Sequence, residues 1–241
     1  MKSSKISIIG CGWLGKPLAK SLSKEHHILC YSRKETSDAS LNYIYKPDAN
    51  SDFYKSKIII IAINTKDGYL NTLRDIAANA SKASTIIMMS SISVYREFDK
   101  EVDENTTITK AGLQKEAEEL MQSLRENLII LRLGGLMGDD RISGKWKSTS
   151  TFSDGYVNYV HRDDVIEIVK KLIKTDIQNG IYNIVAPLHP LRSQVHQKNS
   201  QKFGFELGTF KNMTYRKVVS DAIIKELDYT FIYPNPLNFW D

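Results

Sequence analysis

The chain has 241 residues, of which 41% are hydrophobic and 25% charged. That mixture excludes the apolar-poor, highly charged composition of a disordered chain, and the length suits one large α/β domain or, at a stretch, two small ones. The 33 basic and 28 acidic residues leave a net charge of +5, but both signs are scattered with no Lys/Arg block longer than a pair, so a solvated mixed surface is expected and nucleic acid is not an expected partner.

Near the N-terminus only five residues separate Lys5 from Cys11, too few for the ~7 to 15 apolar residues of an export signal. A cytoplasmic protein is the expectation. Cys11 and Cys30 are too few for a disulfide framework and lack partners for a metal site, so they are expected as reduced thiols. Ile6 to Ile9 is a short β-branched run, followed by Gly10-Cys11-Gly12-Trp13-Leu14-Gly15 and then by Leu18, Ala19 and Leu22 at helical spacing. Strand, tight turn and helix are the reading. A second run, His27 to Tyr31, ends at Ser32-Arg33-Lys34 and completes a β-α-β unit.

Further candidate strands are Leu41 to Tyr45, Lys57 to Ile63, Ser84 to Met89, Leu128 to Leu131 and Ile181 to Val185, with helical patterns at Tyr69 to Ser81, Lys110 to Leu124 and Asp164 to Lys174. The longest purely apolar run, Ile58 to Ile63, is far shorter than the ~20 residues that cross a bilayer, and no membrane partner is expected. Apolar strands alternating with amphipathic helices indicate an α/β protein with a Rossmann-type, doubly wound parallel sheet. The alternation fades after Pro187, where Pro190, Pro234 and Pro236 break up the chain. Residues 1–186 are therefore expected to form the nucleotide-binding domain and 187–241 a small cap, with amphipathic stretches near Val195 to Phe203 and Ala222 to Leu227. The segment Gly138 to Gly155 is rich in Gly, Ser, Thr, Asp and Lys and is expected to be a ligand-side loop.

Gly10, Gly12 and Gly15 form G-x-G-x-x-G where a strand becomes a helix. The first glycine permits the turn, the second lets backbone approach a pyrophosphate and the third allows close helix–sheet packing, while the helix N-terminus offers N–H groups to phosphate. Trp13 and Leu14 within the turn, and Asn64 just after the strand ending at Ile63, join the candidate cofactor contacts. At the end of the second strand, Ser32, Arg33 and Lys34 offer a hydroxyl and two cations where a dinucleotide site meets the ribose, and the nearest acid, Glu35, comes later than the usual position. NADP is favoured, with NAD as the other dinucleotide this turn can hold.

Met89-Ser90-Ser91-Ile92-Ser93-Val94-Tyr95 resembles the S-x-x-V-Y segment of the extended short-chain dehydrogenase/reductase superfamily, the relatives of the sugar-nucleotide epimerases and dehydratases. The resemblance implies that Ser91 is the hydroxyl that holds a substrate oxygen and that Lys115 is the lysine of Y-x-x-x-K, which binds the nicotinamide ribose. The tyrosine position is Ala111. Leu131 to Gly138, Val160-His161-Arg162-Asp163-Asp164-Val165 and Tyr182 to Val185 resemble later segments of the same family. The tail resembles a compact atypical branch whose members often lack the tyrosine.

The family also implies pairing of two copies through the helices at Tyr69 to Ser81 and Lys110 to Leu124. Plainer roles stand beside these: Ser91 as a cap on its strand, Lys115 as a solvated helix lysine, Tyr95 as a packed aromatic and His161 as part of a helix entry. The histidines show no metal-ligand spacing, and no metal is expected. Three functions follow for test: an NADP-dependent oxidoreductase or epimerase-like protein acting on a small polar substrate, a dinucleotide-holding module without turnover, and a β-hydroxyacid dehydrogenase type. The last requires an all-helical second half.

Overall fold

The computed structural model describes residues 4–32, 42–44, 52–95, 99–109, 111–145 and 150–241, with backbone alone at 42–44. Arg33, Lys34 and Glu35 lie outside the described residues.

β1 (Lys5–Ile9) runs into α1 (Gly15–Leu22), and β2 (His27–Tyr31) and β3 (Asn42–Ile44) follow. β4 (Ile58–Ile61), α2 (Tyr69–Asn79), β5 (Thr85–Ser91) and a 3-10 turn (Ile92–Val94) come next. After β6 (Glu101–Val102) the chain forms α3 (Leu113–Leu124), β7 (Leu128–Leu133), β8 (Gly135–Met137), β9 (Thr151–Gly155) and β10 (Tyr159–His161). It closes with α4 (Arg162–Ile173), β11 (Gly180–Ile184), α5 (Arg192–Phe203), β12 (Thr209–Thr214), β13 (Lys217–Val218) and α6 (Asp221–Leu227).

The principal sheet has the order β11-β7-β5-β4-β1-β2-β3, and β1 pairs in parallel with β2 and β4, as do β2 with β3 and β4 with β5. β1 lies between β4 and β2, the strand order that reverses direction at the turn after β1 in a doubly wound sheet. All four isoleucines of β4 are buried, which is what a strand covered on both faces requires.

The chain separates into two compact units: residues 1–94, 110–131 and 169–181 form one, and 95–109, 132–168 and 182–241 the other. In the first, Leu73, Ile76, Ala117 and Met121 of α2 and α3 pack with Ile9, Ile59, Ile61, Ile86 and Met88 of the strands. Arg125, buried beyond the end of α3, donates to the carbonyls of Ala80 at 3.0 Å, Ser81 at 2.6 Å and Ser84 at 3.1 Å. It thereby ties the end of α3 to the backbone of the α2–β5 connection.

The second unit holds small parallel pairs, β8 with β10, β9 with β12 and β6 with β13. The segment expected to be a loop from Gly138 to Gly155 thus ends as strand β9, because β12, some 58 residues later, supplies the ladder that Thr151 and Thr209 join through their hydroxyls at 2.7 Å. Strands β8 to β13 in this half remove the all-helical arrangement that the β-hydroxyacid dehydrogenase reading requires. Asp164 anchors the final segment: its fully buried carboxylate accepts from the Tyr229 hydroxyl and the Ile232 N–H at 2.7 Å each and from the Tyr233 N–H at 3.1 Å.

The cysteines correct an expectation. Cys11 and Cys30 are joined as a disulfide, with Cα atoms 6.0 Å apart. Register Ile9↔Tyr31 between β1 and β2 carries the turn residue Cys11 back against the strand residue Cys30, an adjacency that their separation of 19 residues conceals.

Candidate functional site

The predicted cofactor residues within the described part of the chain all lie in the first unit. Gly10 has φ of 101°, a conformation that excludes most side chains, and its N–H donates to the Tyr31 carbonyl at 3.1 Å. A Cβ there would collide with the Ala62 carbonyl, and one on Gly15 would collide with the carbonyl of Gly10. Gly12 differs: it is exposed, and a Cβ would meet nothing within 4 Å. Two glycines are thus required by the protein's own packing, while the middle one leaves open space in front of the backbone. That space is what a pyrophosphate needs, and the cradle fits a dinucleotide.

The helical ladder of α1 begins with Lys16 N–H donating to Gly12 O at 3.0 Å, so the preceding amides lie at the electropositive end of the helix. Leu14 is buried and can offer only backbone, whereas Trp13 is half-buried and Asn64 exposed. Ser32 directly follows β2.

β5 brings Ser90 and Ser91 to its C-terminal end. The Ser91 Oγ accepts from the Ser93 N–H at 3.1 Å, which is the capping role, and its own proton remains for a second acceptor. α3 packs against β5 and the following 3-10 turn. The helix expected from Lys110 starts at Leu113 because Gly112, extended with φ of 170°, is a poor helix former. Ala111 therefore precedes the helix. Lys115 pairs with Glu119 one turn on, at 3.5 Å and with 29% of its side chain exposed.

A residue that sequence reasoning missed lies between these positions. Glu118, buried to 2%, accepts from the Ser90 hydroxyl at 2.5 Å. The signal was present in the pattern: Glu118 falls on the apolar stripe that Ala117 and Met121 define, and an acid on a core face needs a partner. Burial pushes the phenol of Tyr69 up to about 12, and the charge of Glu118 adds to the rise. Tyr69 is thus a poor proton donor near neutral pH.

Two further residues take their plainer roles. In the second unit the Tyr95 hydroxyl donates to Asn183 Oδ1 and accepts from Arg132 Nη1, both at 2.8 Å, and burial pushes its phenol up. His161 lies 3.9 Å from the Tyr233 ring centroid, and its Nδ1 accepts from the Asp163 N–H at the helix entry. Among the described residues no group of three or more His, Cys, Asp or Glu side chains could hold a metal, and no helix is long and apolar enough to cross a membrane.

Sheet order, turn and open middle glycine define the class: an NAD-binding protein of the Rossmann fold. Residues 5–131 match the NAD binding domain family of 6-phosphogluconate dehydrogenase. The chain belongs to the same family as Protein YeeZ of Escherichia coli (strain K12), with which it shares 30% identity over 97% of both chains. Among solved structures it superimposes on a conserved protein of unknown function from Silicibacter pomeroyi DSS, with TM-score 0.81, 20% identity and coverage of 98% of this chain and 96% of that one. It also superimposes on the human epimerase family protein SDR39U1 (isoform2) with NADPH, with TM-score 0.74, 13% identity and coverage of 96% of both.

Proposed function

We propose that the protein binds NADP(H) and acts on a small polar substrate as an oxidoreductase or epimerase-like enzyme. The observation that carries this reading is the turn itself, in which Gly10 and Gly15 are locked by their own neighbours while Gly12 faces open space. When bound, the dinucleotide supplies or accepts hydride. The chain does the rest: the amides at the start of α1 hold the pyrophosphate, Arg33 and Lys34 meet the 2′-phosphate, and Ser91 holds an oxygen of the substrate through its free proton. Lys115 binds the nicotinamide ribose. The preference for NADP rests on the two cations after Ser32, and the NADPH in the human epimerase family protein accords with it.

Titration of the wild type and Arg33→Ala with both dinucleotides tests the reading. A charge-assisted contact of this kind is worth about ten- to a hundredfold in affinity. Equal affinity of the wild type for NADP(H) and NAD(H) would overturn the preference, and binding of neither would overturn the function.

Ala111 favours a second reading, a module that holds the dinucleotide without turnover, because a positioned acid–base group contributes about 10² to 10⁴ in rate. Incubation with NADPH and a panel of carbonyl, imine and nucleotide-sugar compounds separates the two. Binding with no oxidation of NADPH across the panel selects the module.

A further inference from the structure

We infer that Cys11 and Cys30 form a reversible redox clasp that controls the affinity of the nucleotide turn. The inference rests on the dinucleotide reading above and adds regulation of the same site. Cys11 stands between the two glycines that make the turn, and Cys30 stands two residues before Ser32. The bond therefore ties the segment that receives a pyrophosphate to the strand whose end meets the ribose. Beyond the β1–β2 ladder, which ends at Ile9↔Tyr31, the turn is tied to β2 by the N–H groups of Gly10 and Cys11, which share the Tyr31 carbonyl at 3.1 and 3.3 Å. A shared acceptor is a weaker constraint than two separate ones, so a covalent link here changes how well the turn is held before cofactor arrives.

The chemistry needs an oxidant, which we assign to a low-molecular-weight disulfide such as oxidised glutathione. Cys11 is 8% exposed and Cys30 fully buried, so Cys11 meets the small disulfide. Its thiolate attacks one sulfur and releases one glutathione thiol. The Cys30 thiolate then attacks the Cys11 sulfur of the mixed disulfide and releases the second. Two electrons and two protons pass from the protein thiols to the small disulfide, and excess reduced thiol runs the steps backwards. In the bonded form the Cα atoms are 6.0 Å apart, within the usual range for a disulfide.

The oxidised form holds the turn in its bound shape in advance, and ordering a group before binding is worth about two- to tenfold in affinity. The same link closes a loop between residues separated by 19 positions, which raises the melting temperature by roughly 5 to 10 °C.

The test equilibrates the full chain in glutathione buffers of graded ratio, then quenches with acid. Unfolded alkylation with mass spectrometry counts free thiols, and parallel samples are titrated with NADP(H) and melted without it. The expected result is loss of both free thiols together, a higher melting temperature, and a Kd for NADP(H) about two- to tenfold lower in the oxidised samples. Cys30→Ala should abolish the dependence of Kd on the glutathione ratio, and the wild-type series stands alone if that variant folds poorly. Both thiols remaining alkylatable in fully oxidised buffer would overturn the clasp. So would a disulfide that forms while Kd stays the same. Pairing of the cysteines with no dinucleotide bound in either state would overturn the proposed function as well, and is distinguished by the intact thiol titration.

Discussion

Acid should unfold this protein in part through one histidine on α5. His196 is 3% exposed, packed edge-on against Phe152 at 4.8 Å and Phe210 at 5.6 Å, and its Nδ1 is buried with no hydrogen-bond partner. Burial, reinforced by Arg192 and opposed by Asp154, lowers its pKa from 6.5 to about 4. In the unfolded chain the imidazole takes up a proton near 6.5, whereas in the folded chain it stays neutral until about 4. The unfolded state therefore binds more protons in that window, and stability rises with pH across it.

The contribution is fully present above the unfolded value and is lost progressively as pH falls to the folded one. The whole gap corresponds to about 3 kcal/mol, of which about 2 kcal/mol is gone by roughly pH 5. His161 and His189 are also lowered by burial, so the wild-type slope alone cannot isolate His196. Urea unfolding of the wild type and His196→Phe at about pH 7 and about pH 5 does so. The phenyl ring keeps the aromatic contacts and cannot titrate, so its loss between the two conditions should be smaller by about 2 kcal/mol. Equal losses in the two proteins would refute the reasoning.

The glycines of the turn separate folding from binding. Gly15→Ala, whose Cβ meets the Gly10 carbonyl, should lower the melting temperature sharply, whereas Gly12→Ala should melt like the wild type and lose at least about tenfold in NADP(H) affinity, read by calorimetric titration. Asp164→Ala leaves the Tyr229 hydroxyl and the N–H groups of Ile232 and Tyr233 without their acceptor, at a cost of about 3 to 5 kcal/mol in denaturant unfolding. Limited proteolysis should then cut first within the segment after Leu227. Ser91→Ala should leave NADP(H) affinity unchanged and reduce turnover of whichever panel compound reacts; unchanged turnover would leave Ser91 with its strand-capping bond alone.

The nucleotide end of this protein was legible from sequence because its determinants are local. A β-branched strand, three glycines at fixed spacing and an amphipathic helix lie within residues 5–22, and the structure returns them as β1, the turn and α1. The same holds for α2, α4 and the apolar strands, whose periodicity is set by their own residues. What depended on distant partners was not legible. The cysteine pair arises from strand register, and the burial of Glu118 against Ser90 from a helix docking 28 residues beyond its strand. Strand β9 forms only because β12 comes alongside it. In each case a residue's state is decided by a group that tertiary packing brings to it. A hydrogen bond, a disulfide or a β ladder needs two halves, and a sequence window contains one.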